Sequence, residues 1–167
     1  MSGAGRPPAD SGDPFEVFRP RRGRFVAIGL TVAALTIFTT VGLTISPSRV
    51  LPFHAFDRGL IVMVGVLLSL LFWRYATIKA VPSREGLVVR NLFRTTTVTW
   101  PQVVGLQFEF GMPWPTLFLS DTETLAVMAI QRSDGPYSLT QASRLAALVT
   151  ALGESPEGGA RQLDEDL

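Results

Sequence analysis

FVAIGLTVAALTIFTTVGLTI, residues 25–45, carries no charge and no proline, and threonine is its only polar side chain. As an α-helix it rises ~32 Å, about the thickness of a bilayer's hydrocarbon core. A core helix of a small soluble protein rarely runs so long without a charged face. The stretch is therefore expected to span a membrane. Arg19, Arg21, Arg22 and Arg24 stand immediately before it as a basic flank. A cleaved signal peptide would have a shorter apolar run ending in small residues, and Ile45-Ser46-Pro47-Ser48 is a poor cleavage site.

Outward from this helix, Pro47 and Pro52 bracket a short polar connection. A second apolar run follows at residues 60–73, LIVMVGVLLSLLFW, between Arg58 and Arg74. Continued through Tyr75 to Ile78 it reaches about twenty residues, enough to cross. Arg58 and Arg74 can snorkel, and Trp73 and Tyr75 suit the interfacial aromatic belt. The expectation is a transmembrane hairpin over 19–78, with helices at about 25–45 and 59–78. Its interface anchors would be Arg22, Arg24, Arg58, Trp73, Arg74 and Tyr75. Arg74, Lys79, Arg84, Arg90 and Arg94 follow the second run, whereas the connection holds only Arg49 and Arg58. The positive-inside rule then places both termini in the cytoplasm, in a multi-pass protein of the inner (cytoplasmic) membrane.

Composition narrows the chemistry. Charged residues make up 17% of the chain, below the ~25% usual for soluble domains, in keeping with the apolar stretches. There is no cysteine, which excludes disulfides and thiolate-ligated metals. His54 is the only histidine: with no second His and no Cys a metal site cannot be built on it, and, expected in the outer loop across the membrane from the folded domain, it cannot serve a Ser-His triad there. No GxGxxG or GK[ST] loop occurs. The carboxylates Asp121 and Glu123 read as a solvated turn. No cofactor and no enzymatic activity are expected. Residues 1–18 are rich in Gly, Pro, Asp and Ser and read as a disordered tail, as does the acidic segment 154–167.

Between these limits, residues 79–153 change period. Gly86–Arg90 reads as extended chain after a Ser83–Gly86 turn. Thr95–Trp100 is β-branched and aromatic throughout. Val103–Phe110 alternates, with Val104, Leu106, Phe108 and Phe110 expected on one face. Leu117–Leu119 and Thr124–Ile130 complete the strands. Ser138-Leu139-Thr140-Gln141 matches a capping box. Ala142, Leu145, Leu148, Val149 and Leu152 form one helical stripe, with Gly153 placed to end the helix. Residues from about 80 to 153 are expected to fold without the hairpin.

Consecutive antiparallel strands closed by one amphipathic helix suit a pleckstrin-homology (PH) barrel. At Arg90-Asn91, Trp100-Pro101-Gln102-Val103, Pro113-Trp114-Pro115 and Ala129-Ile130-Gln131 the chain resembles the small bacterial PH-domain family named for the actinobacterial low-molecular-weight protein antigen. The resemblance covers roughly residues 15–152. It implies a fold made of a two-helix transmembrane hairpin and a PH-like β-barrel, and it carries no catalytic motif. By analogy with lipid-binding PH domains, Arg84, Arg90, Phe93 and Arg94 form the candidate membrane-facing or ligand edge. Trp100 and Trp114, each before a proline, suit core or corner packing. The expected function is a membrane-anchored binding or scaffolding module on the cytoplasmic face. The alternative is a structural subunit of a membrane complex acting through the hairpin. The partners this implies are the lipid bilayer and a membrane or cytoplasmic protein, with a homo-oligomer left open. Nucleic acid is not expected, because the basic residues hug the membrane and the RNA-binding strand motif is missing.

Overall fold

The computed structural model describes residues 13–45 and 54–153. The start of the expected N-terminal tail, the Pro47–Pro52 connection and the acidic tail lie outside the described residues. Helix α1 runs Arg22–Thr44 and α2 runs Ala55–Ala76. Both start earlier than the uncharged stretches suggest. The Arg22 and Arg24 flank forms the first turn of α1, and Arg58 lies in the first turn of α2. The Asp57 carboxylate accepts a 2.8 Å hydrogen bond from the His54 N–H, so His54 serves to begin α2.

The helices pack antiparallel through small residues: Ala27, Ala34 and Gly42 on α1, Gly65 and Ser69 on α2. The Ser69 hydroxyl lies 3.2 Å from the Thr31 carbonyl oxygen across the seam, and 2.7 Å from its own Gly65 carbonyl. Small side chains allow this close approach of the two backbones. A Cβ at Gly65 would run into the Cβ of Phe38, whereas one at Gly29 would meet nothing within 4 Å. Gly65→Leu should therefore splay the hairpin and cost about 1–3 kcal/mol of its stability. Gly29→Leu should leave the thermal midpoint in detergent unchanged, and equal midpoints would refute this packing.

Past α2 the period switches to two. Strands β1 (Lys79–Pro82), β2 (Gly86–Arg90) and β3 (Thr95–Thr99) form one antiparallel sheet in that order. Strands β4 (Val103–Gln107), β5 (Thr116–Leu119) and β6 (Thr124–Ala126) form a second. Helix α3, Pro136–Gly153, lays Ala142, Leu145 and Leu148 into the core that both sheets share. Between the sheets, Trp100 opens a 3₁₀ turn and is buried. Its indole N–H donates to the Ser83 carbonyl at 2.9 Å, clamping the β1–β2 turn.

Several expectations need correction. The two sheets do not join into one closed barrel among the described residues. They are stitched at Asn91, whose side-chain amide donates to the Ala126 carbonyl at 2.7 Å and accepts from the Met128 N–H at 3.2 Å. The expected Val103–Phe110 face breaks at a β-bulge between Val103 and Gly105. At the bulge Val103 is buried and Val104 exposed, Leu106 and Phe108 keep the expected face and pack half-buried against the core, and Phe110, beyond the end of β4, is exposed. The expected strand Thr124–Ile130 stops at Ala126. Beyond it the Val127 and Arg132 N–H groups donate to the Pro115 and Pro113 carbonyls, both at 2.9 Å. Prolines offer no N–H in return, so no regular ladder continues, and the apolar run turns into the core. Ser138 is not the helix cap. Helix α3 starts at Pro136, which suits the first helical position, and Ser138 is buried within the first turn. Gly153 is the last helical residue.

The tail is corrected at its inner end. Phe18 is fully buried, exchanges backbone hydrogen bonds with Ala80 at 2.9 and 3.0 Å, and belongs to the core with Ile78. Arg144 of α3 holds this segment: its guanidinium lies 4.0 Å from the Phe18 ring, 3.3 Å from the Asp13 carbonyl and 3.7 Å from the Glu16 carboxylate.

Candidate functional site

The Phe18–Ala80 bridge sets a register. One antiparallel step along, Arg19 falls opposite Lys79, and Lys79 is paired with Arg90. The Phe18, Ala80, Val89 row points into the core, and all three are buried. The next row therefore carries three cations side by side. Like charges directly opposite on neighbouring strands are destabilising. Among the described residues none of the three has a carboxylate within ion-pair distance, since Arg144–Glu16 is the one pair found there. Arg24, one turn into α1, joins them. These four cations line a cavity of ≈ 220 Å³ together with Ile28 and Trp73, at the Arg-bearing end of the hairpin. Lys79 and Arg90 are half-buried, and Trp73 is 56% exposed.

What holds the site together is a set of bonds between the sheet domain and the helix ends. Helix α1 opens with arginines and no acid in its first turn, an arrangement its own dipole opposes. Asp134, 7% exposed, supplies the missing anion: its two carboxylate oxygens accept from the Arg21 and Arg22 N–H groups at 3.0 and 2.9 Å. Gln131 beside it donates to the Tyr75 hydroxyl at 2.8 Å, joining α2. The Arg21 guanidinium stacks 3.8 Å over the Tyr137 ring. Two residues, Thr77 and Ile78, separate α2 from β1, and Ile78 is buried. The domain is docked on the hairpin.

Measured against this geometry, the expected edge divides. Arg90 lines the cavity. Phe93, 83% exposed, and Arg94 lie in the β2–β3 connection beyond it. Arg94 borders a second cavity with Glu123. Arg84 sits in the β1–β2 turn, at the other end of β2, and does not join them. Its neighbour Glu85 has a carboxyl held below its ordinary value, first by the Ser83 hydroxyl, then by its own backbone N–H, with the Arg84 charge adding a little. Of the expected anchors, Arg24 and Trp73 line the cavity, while Arg22 reaches the Ser133 carbonyl at 3.4 Å. The Arg74 guanidinium bonds the Thr77 hydroxyl at 3.4 Å. Tyr75 packs against the domain core and is not a free interfacial anchor. Arg58 remains at the far end, in the first turn of α2. Sequence reasoning missed Arg19 and Lys79 as site residues, and Asp134 as a cap, because strand pairing and a remote contact create both roles.

The fold of two antiparallel sheets and a terminal helix coincides with a family match. Residues 82–148 match the model of the bacterial PH domain family. The matched segment begins after Ile78 and Lys79 and contains Gln131, Asp134 and Tyr137, which hold it to the helix ends. Uncharacterised proteins of Mycobacterium bovis and of two Mycobacterium tuberculosis strains are 33% identical to the chain over 82 residues, 49% of its length. The chain spans about half the length of these curated relatives, 53%. No solved structure matches it significantly. PH domains are in general binding modules without catalytic function, and no enzyme family is indicated.

Proposed function

We propose that this chain is a two-span membrane protein that presents its PH domain to the cytoplasm as a non-catalytic binding or scaffolding module. The observation that carries this reading is the docking itself. Only 17% and 11% of the most apolar windows of α1 and α2 are buried, so the hairpin shows apolar surface nearly all round. A core helix would be covered, and exposed apolar surface on this scale needs lipid or a partner. The PH domain sits on the hairpin's basic end, with Arg19, Arg24, Lys79 and Arg90 gathered where the helices would leave the bilayer. Basic residues favour the cytoplasmic side and an anionic leaflet. Phe93 and Arg94 extend the same edge, and Arg84 turns away from it.

Reporter fusions at either terminus and within residues 46–53 test the topology. Activity specific to the cytoplasm at both termini, and to the outer side in the connection, is the expected result. Outer-side activity from a terminus would overturn it. A partner that co-purifies without the PH domain, but not after substitution of the helices, would instead support a structural subunit working through the hairpin.

A further inference from the structure

Resting on the membrane reading above, we propose that the cavity between β1, the start of α1 and the end of α2 is a phosphate site, its ligand the phosphodiester of an anionic phospholipid head group. The other described arginines near this end are committed, apart from Arg84 and Arg94, which sit in the strand connections and do not line this cavity. Arg21 stacks on Tyr137, Arg22 bonds Ser133, and Arg74 bonds Thr77. Arg132 bonds the Met112 and Glu109 carbonyls, and Arg144 bonds Gln141 and pairs with Glu16. Arg19, Arg24, Lys79 and Arg90 make no side-chain hydrogen bond and no ion pair among the described residues. All four converge on one cavity.

A row of three like charges across adjacent strands breaks the cross-strand rule without a compensating acid. Such local violations mark functional sites. Guanidinium forks with a lysine ammonium are the donor set that suits phosphate oxygens. The cavity is also amphipathic. Ile28 and Trp73 line it from α1 and α2, and Ala76 ends α2 beside it. A lipid head group offers a phosphate at that depth together with apolar chain to lie along Ile28 and Trp73. A soluble phosphate offers the first alone.

The full chain in nanodiscs tests this. Discs would contain equal phosphatidylglycerol and phosphatidylcholine, or phosphatidylcholine only, and native mass spectrometry would count the lipids retained on the released protein. Wild type is expected to keep phosphatidylglycerol over phosphatidylcholine. Lys79→Gln with Arg90→Gln should reduce that preference about tenfold or more, given roughly a tenfold factor for each one or two cations lost near an anionic surface. Arg19→Gln with Arg24→Gln, both at exposed positions, should do the same without touching the fold. Arg84→Gln should change nothing. Inorganic phosphate and glycerol 3-phosphate, added to phosphatidylcholine discs, separate the sources. If they bind with the same dependence on the four cations while phosphatidylglycerol is not preferred, the lipid assignment is overturned and the phosphate site stands. If both double variants keep phosphatidylglycerol as wild type does, the site is overturned while membrane anchoring stands. If the chain fails to enter discs, the membrane reading falls and this inference with it.

Discussion

Phe18→Ala should destabilise the PH domain by about 3–5 kcal/mol, the cost of truncating a fully buried aromatic. The residue lies far outside the matched segment 82–148, yet it is wedged against Ala80 and covered by the Arg144 guanidinium. Urea titration of the detergent-solubilised chain, followed by the fluorescence of buried Trp100, measures the loss. An unchanged midpoint would show that the segment merely lies on the surface. The same contact revises the expectation that residues 80–153 fold alone. A fragment cut at Ala80 lacks Phe18 and Ile78, two of its own core residues, as well as the packing of Phe15 and Tyr75. It should bind a hydrophobic dye and melt broadly, whereas a fragment that keeps both flanks should not.

Leu145→Asp carries a still larger expected effect, on the order of 5 kcal/mol or more. Leu145 is fully buried at the centre of the stripe by which α3 closes the two sheets. The change removes a core side chain and leaves an unpaired carboxylate in its place. That approaches the whole stability of a small domain. Leu139, on the same helix and 54% exposed, is the control: Leu139→Asp should shift stability by no more than about 0.5 kcal/mol. Dispersed amide resonances from the PH domain in the Leu145 variant would refute the assignment of that face.

The parts of this fold legible in the sequence are those written locally. A charge-free stretch too long for a small core marks α1, a shorter apolar run between Arg58 and Arg74 marks α2, and the Ala142–Leu145–Leu148 spacing marks α3. The threonine-rich run before Trp100 marks β3. Features decided by pairing were not legible. The bulge turns Val104 out of a face that Leu106 and Phe108 keep. The run after Ala126 is as apolar as a strand, but it lies against Pro113 and Pro115, which lend carbonyls only. At Ser138 a matching capping box lost to Pro136 two residues earlier. The candidate site shows the same division. Arg90 stood out as a basic residue near the membrane. Lys79 and Arg19 read only as basic flanks of the apolar runs until the strand register brought them alongside it, and Arg84, close in sequence, went to the opposite end of the strand.

The Asp134 carboxylate closes α1 from 112 and 113 residues further along the chain. A ribosome adds roughly 5–20 residues per second, so about 110 residues take roughly 6–22 s. For that time the first helix to be made has an uncapped basic end. On the membrane reading proposed above, its lodging at the surface is carried until then by the bare arginines and the lipid they meet. Only when nearly the whole chain has emerged does the last-formed part of the protein reach back to finish the first. Completion of the sheet domain and capping of the first helix are thus a single late event in the making of this protein. A nascent chain halted before residue 134 holds a first helix still waiting for its anion.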